Sequence, residues 1–141
     1  MALYPKGVLD TSTVILLGRL NDPEDLPEEP LITAITLAEL SVGPLVAKDD
    51  KTRAERQAHL QYAEGSFDPI PFDDAAARKF GTLAAGLRAQ GRKSKARAYD
   101  VLIAATAGAN GLPVYTCNPD DFNGMNGIEV VAVPHPDHPI A

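Results

Sequence analysis

Short apolar runs alternate along the chain with longer stretches whose apolar positions recur every three or four residues. Gly7 to Asp10 is an apolar run ending in an acid, and reads as a strand. Thr11-Ser12-Thr13 offers helix caps, with Val14 to Leu20 as the helix they open. Residues 21–30 hold three prolines and five acids, the composition of an exposed loop. Leu31 to Thr36 reads as a second strand. Thr36-Leu-Ala-Glu39 reads as a capping box opening a helix through about Val46. A charged helix follows over Asp49 to Glu64, then an extended Phe67 to Phe72 held off helix by two prolines. Asp73 caps a long helix running to about Gln90, where Gly91 closes it; Ala76, Phe80, Leu83, Ala84 and Leu87 give it one buried face. Gly91 to Lys95 is a basic loop. Ala98 to Ala109 is an apolar helix ended by Asn110-Gly111. Leu112 to Cys117 and Ile128 to Val133 are strands, with a short turn or helix starting at Asn118-Pro119-Asp120-Asp121-Phe122. Strands alternating with helices predict an α/β domain, its mostly parallel sheet flanked by helices. That domain is expected to span residues 1–133, with 134–141 a tail containing Pro and His.

Composition narrows the class. The chain has 141 residues, 45% hydrophobic and 23% charged, which suits one globular domain rather than a disordered segment. Cys117 is the single cysteine, so an internal disulfide and a cysteine-ligated zinc are excluded. Of the three histidines, His59, His135 and His138, two lie in the Pro-rich tail, a poor scaffold for a metal. No apolar run approaches the roughly 18 residues of a membrane span, and the opening MALYPKG lacks the pattern of a signal peptide. The expectation is a cytoplasmic protein.

Charge changes the picture by its distribution. The net charge is −6, which on its own argues against a nucleic-acid partner. Residues 1–50, however, hold nine acids against three bases, residues 51–97 ten bases against five acids, and residues 98–141 five acids with no Lys or Arg. A basic middle lies between acidic ends.

Ligands of open parallel sheets bind at the carboxyl ends of the strands. Asp10 ends the first strand, Glu39 lies just past the second, and Asn118 and Asp121 lie just past the Leu112–Cys117 strand. Asp100 stands near the start of an otherwise apolar helix. Each also has an ordinary reading: Asp10 as a turn residue, Glu39 as a capping-box partner, Asp100 as an N-cap, and Asn118 with Asp120 and Asp121 as a helix start. If the topology gathers these carboxylates, their mutual repulsion calls for a divalent cation, and all-oxygen ligation favours Mg²⁺ or Mn²⁺.

The order of these residues resembles a known family. Val8-Leu-Asp-Thr-Ser-Thr-Val-Ile, Ile35-Thr-Leu-Ala-Glu-Leu, Tyr99-Asp-Val-Leu-Ile-Ala-Ala-Thr-Ala and Tyr115-Thr-Cys-Asn-Pro-Asp-Asp-Phe are similar to the four motifs of PIN-domain ribonucleases, above all the VapC toxins of bacterial toxin–antitoxin pairs. The resemblance spans about residues 7–133. It implies a metal-dependent endoribonuclease on an α/β/α fold, with Asp10, Glu39 and Asp100 as metal-site acids. Ser12, Thr116 and Asn118 are implied as supporting residues, and the fourth ligand position is open between Asn118, Asp120 and Asp121. It also implies a homodimer, with Leu16, Leu17, Leu20, Leu40 and Leu45 available to form it, and a small VapB-type antitoxin whose tail covers the acidic groove. Phosphodiester hydrolysis on such a site needs no His. The basic run Arg92, Lys93, Lys95 and Arg97, directly before Asp100, is then expected to hold the RNA backbone.

Two rivals remain open at this point. A haloacid-dehalogenase-like phosphatase would use Asp10, but Ser12 stands where its second Asp belongs. A catalytically inactive PIN-like binding domain would not need three acids in place. A receiver-type phosphoacceptor fails, because no Lys follows Lys95.

Overall fold

Four short strands, β1 (Lys6–Leu9), β2 (Glu29–Leu31), β3 (Val114–Thr116) and β4 (Val130–Ala132), pair in the order β2-β1-β3-β4, every pair parallel. Helices α1 (Thr11–Leu16), α2 (Ala34–Leu45), α3 (Asp50–Ser66), α4 (Asp74–Ala89) and α5 (Ala98–Ala109) surround them. The computed structural model describes residues 4–20, 22–92 and 97–138.

A parallel sheet must be covered on both faces, and the alternation within β1 and β3 arranges this. Val8 and Val114 pack with Leu83 and Leu87 of α4 and Val101 and Ala104 of α5. Leu9 and Tyr115 pack on the opposite face with Val14, Leu40 and Ala63 of α1, α2 and α3. The result is the expected α/β/α sandwich. At Gly7 a Cβ would come within 2.6 Å of the Tyr115 ring, so only glycine lets β1 pass this aromatic.

Several boundaries fall as the pattern predicts. Asp49 and Asp73 cap α3 and α4 by accepting the N–H of Thr52 and Ala76, and Gly91 closes α4 at φ 74°. α5 spans the predicted Ala98 to Ala109, followed by Gly111 at φ 66°.

Two starts differ. α1 opens at Thr11 and its cap is Asp10, whose carboxylate accepts from Thr13 N–H; Thr11, Ser12 and Thr13 lie inside the helix. α2 opens at Ala34 with Thr33 as cap, so the stretch read as a strand through Thr36 is already helical from Ala34. The reason is tertiary. Ile32 accepts a hydrogen bond from Ile70 N–H (3.0 Å), and Ala34 N–H donates to Ile70 (2.9 Å), which ends the extended backbone at Thr33. Glu39 therefore sits mid-helix, and the capping-box reading of it is overturned.

Of the five leucines set aside for self-association, Leu40 is core and Leu16, Leu17 and Leu20 pack half-buried against the Leu9 side of the sheet. Leu45 alone stands out, 85% exposed beside Val42 and Val46 at the end of α2. In the tail, Arg19 bonds Asp137.

Candidate active site

The carboxyl ends of β1 and β3 lie side by side, and Asp10 is the first residue past β1. It is 2% exposed, and its carboxylate accepts four hydrogen bonds. Oδ1 accepts from Thr13 N–H (3.2 Å) and the Thr13 hydroxyl; Oδ2 accepts from the hydroxyls of Thr116 (2.7 Å) and Ser12 (3.2 Å). Thr13 and Thr116 are fully buried and accept in turn from Cys117 N–H (3.0 Å) and Asn118 N–H (2.9 Å). These two hydroxyls lock the turn after β3 onto Asp10. Burial raises the Asp10 pKa, and the four hydrogen bonds oppose that rise by favouring the charged form.

Glu39 reaches the same edge from α2. Its Oε1 accepts from the Thr11 hydroxyl at 2.6 Å. Burial raises its pKa first; the Thr11 bond lowers it, and the charge of Asp10 raises it again.

Asp100 stands in the first turn of α5, where negative charge suits the helix dipole. The N-cap position belongs to Arg97, which makes no side-chain cap, so Asp100 is not a capping residue. Its pKa is pushed up to about 6, by burial first and then by the charges of Asp121, Asp10 and Glu39. That set names the acids that face one another. Asp121 belongs to it, on the 3₁₀ turn Pro119–Phe122. Asp120 does not: its carboxylate accepts from Asn123 instead. Asn118 makes no cap; its amide Nδ2 donates to the Ser12 hydroxyl at 3.0 Å, behind Asp10.

Among the described residues no Lys or Arg side chain forms an ion pair with any of these four acids. Nor are three His, Cys, Asp or Glu side chains among them grouped tightly enough to enclose a metal ion. The arrangement is an open set of oxygens that sense one another's charge. Such a set suits Mg²⁺, which binds through one or two carboxylates and keeps several waters, better than a cation needing a closed cage.

The basic run divides. Lys93 and Lys95 lie outside the described residues. Arg92 is exposed, its Nε donating to Gln90 Oε1 (3.1 Å), while Gln90 Nε2 donates to the Gly124 carbonyl. Arg97 has a different task from the expected grip on RNA. Its guanidinium donates to the backbone carbonyls of Asp121 and Asn123, clamping the turn that carries Asp121, and its charge holds the Asp100 pKa down.

Sequence reasoning missed three threonines. Thr13 holds Asp10, Thr11 holds Glu39, and Thr36 contacts Thr11 at 3.0 Å. The signal present was the density of hydroxyls straight after Asp10, which the pattern alone assigns to capping.

Comparison with known proteins agrees with this geometry. The PIN domain family matches residues 8–127. Ribonuclease VapC5 of Mycobacterium tuberculosis is 39% identical over 132 residues, 90% of this chain and 95% of that protein. The crystal structure of VapBC-5, a member of the VapBC toxin–antitoxin systems from the same organism, superposes with a TM-score of 0.78 at 36% identity, covering 92% of this chain and 99% of that one. The DNA-bound VapBC structure from Salmonella typhimurium gives 0.71 at 29% identity, covering 92% and 97%. From its first strand to the turn after Asp121, the chain belongs to the PIN-domain family and, within it, to the VapC ribonucleases.

Proposed function

We propose that Asp10, Glu39, Asp100 and Asp121 hold Mg²⁺ or Mn²⁺ and that this chain cleaves RNA there as the toxin of a toxin–antitoxin pair. Metal dependence is general among PIN-domain ribonucleases; the ion and its ligands are the finer reading. The observation that carries it is Asp100, half-buried at the start of α5, its pKa raised to about 6 by burial first and then by the charges of Asp121, Asp10 and Glu39, with no ion-paired Lys or Arg among the described residues. Such a cluster is favourable when a cation offsets its charge.

Bound there, the ion supplies charge relief on the phosphoryl oxygens and an activated water for hydrolysis. Asp10 is held immobile by its four donors, which fixes the geometry of the set. Glu39 offers Oε2, which accepts no hydrogen bond among the described residues. Asp100 is mostly ionised at pH 7, given its pKa of about 6. Ser12 and Asn118 support Asp10 from behind, and Asp121 is the fourth acid in preference to Asn118 or Asp120. Arg92 provides positive charge for the RNA backbone, and Lys93 and Lys95, of the same basic run in the sequence, are proposed to add to it.

The VapBC structures support a small antitoxin as partner. A homodimer is part of the same reading, with exposed Leu45, Val42 and Val46 as apolar surface for it. No described helix is long and apolar enough to cross a membrane, and the cytoplasm is the proposed compartment.

The test is hydrolysis of RNA with Mg²⁺ or Mn²⁺, run beside a small aryl phosphate. RNA cleavage that Asp100→Asn abolishes, with the aryl phosphate intact, is expected. Parental RNA cleavage by Asp100→Asn overturns the assignment. Aryl phosphate turnover without RNA cleavage returns the phosphatase reading.

A further inference from the structure

Thr36 is fully buried in the first turn of α2, and its hydroxyl makes an unusual choice. Helical hydroxyls commonly bond the carbonyl four residues back, and this chain does so at Ser41 (to Leu37, 2.7 Å), Thr82 (to Arg78, 3.4 Å) and Thr106 (to Leu102, 2.8 Å). For Thr36, in the first turn, the residue four back is Ile32, which lies before the helix in extended backbone paired with Ile70. The Thr36 hydroxyl instead meets Thr11 at 3.0 Å.

The direction of that bond follows from proton count. A hydroxyl has one proton. Thr11 gives its own to Glu39 Oε1 at 2.6 Å, the short distance of a charge-assisted bond. Thr11 must therefore accept from Thr36. Thr36 and Glu39 lie three apart on α2 and so share a face, and Thr11 of α1 bridges between them.

We propose that Thr36 and Thr11 are positioning residues, a two-hydroxyl chain that pins Glu39 Oε1 and leaves Oε2 without a hydrogen bond among the described residues. The inference rests on the reading of Glu39 as a metal-site acid. A glutamate has three rotatable side-chain bonds, so an unheld one must be ordered each time it takes up its ligand geometry. The chain removes that freedom in advance and fixes which oxygen is offered. Its root, Thr36, is fully buried, which fixes the near end of the pin.

The experiment uses the full chain and five variants: Thr11→Val, Thr11→Ser, Thr36→Val, Thr36→Ser and Glu39→Gln. Mn²⁺ affinity is read by electron paramagnetic resonance of the free ion, without RNA. Separate kcat and KM values for a short RNA and a thermal melt complete the set. Thr11→Val is expected to lose about tenfold in Mn²⁺ affinity and in kcat, the scale of groups that support a ligand, and Thr36→Val, one bond further from the carboxylate, a smaller but measurable part of that. KM for RNA stays unchanged, and both serine variants recover the parental values. Parental Mn²⁺ affinity and kcat in Thr36→Val overturn the chain, as does a Thr36→Ser as impaired as Thr36→Val, which would mean packing alone. If Glu39→Gln binds Mn²⁺ as the parent does, Glu39 is no ligand and the proposal falls with that reading. If Glu39→Gln loses affinity while both valine variants keep it, only the hydroxyl chain falls.

Discussion

Asp10 and Asp100 face each other across the end of the sheet, and the protein treats them in opposite ways. Asp10 is almost fully buried and surrounded by donors: a backbone N–H and three hydroxyls. Asp100 is half-buried, accepts no hydrogen bond among the described residues, and meets chiefly the charges of other acids. Both carboxylates have raised pKa values, for burial in each case, but only at Asp10 do hydrogen bonds push back. Asp10 is thus part of the fold as well as of the site, since it also caps α1. Asp100 is a charge the fold tolerates. A site of this kind combines one acid that fixes position with another that supplies uncompensated charge.

The sharpest way to break the comparison is to neutralise each acid. Asp10→Asn and Asp100→Asn should each cut RNA cleavage by more than about 100-fold, beyond the range seen for groups that merely support a ligand. Initial rates at saturating Mg²⁺ check this.

Stability should separate the two where activity does not. Asp10→Ala removes a cap and strands the buried hydroxyls of Thr13 and Thr116, at a cost of about 2–3 kcal/mol. Asp100→Ala relieves repulsion, so the metal-free protein should be as stable as the parent or more so. Urea melts without divalent ions measure both, and equal destabilisation of the two would erase the distinction.

The pH dependence follows from the sign of the shift. The folded-state pKa of Asp100, about 6, lies above its unfolded value. Its stabilising contribution is therefore fully present below the ordinary aspartate range and lost as pH rises through 6. Metal-free protein should lose stability between about pH 4 and pH 6, and Asp100→Asn should flatten that slope. Cleavage at subsaturating Mg²⁺ should move the other way, falling as the pH drops and protons compete with the ion for Asp100.

The smallest effects belong to the arginines. Arg97→Ala should loosen the turn that carries Asp121 and slow cleavage without changing the salt dependence of RNA binding. Arg92→Ala should lower that salt slope by about 0.7, the value of one lost phosphate contact on a single strand. Binding measured at several salt concentrations, in an Asp100→Asn background, distinguishes them.

What the sequence made legible depended on how local the deciding interactions are. α5 was readable at both ends because its alanine-rich run stops at Asn110-Gly111, a signal within the segment itself. The start of α2 was not, because Leu31 to Thr36 carries the β-branched residues of a strand and two threonines equally able to cap. Ile70, far along the chain, chooses between them. The acids were found by their order, which a single chain displays. Asn118 stays open in the sequence between ligand, support and helix start, because Asn-Pro-Asp fits a helix start as well; its bond to Ser12, behind Asp10, agrees with a supporting place and spans 106 residues. Thr11, Thr13 and Thr36 were hidden for the same reason: a threonine after a strand looks like a cap until its distant partner is known.

The bond from Thr116 to Asp10 also spans 106 residues, and β1 has its neighbours in β2 and in the late β3. During synthesis Asp10, Glu39 and Asp100 are all joined to the chain before Thr116 and Asp121. Closing so long a loop is worthwhile only when β3 can dock and the sheet completes. A nascent chain that stops short of β3 therefore holds three of the acids without the geometry that makes them useful. The nuclease comes into being late and all at once, so that the ribosome making it carries an inert polypeptide for most of its length.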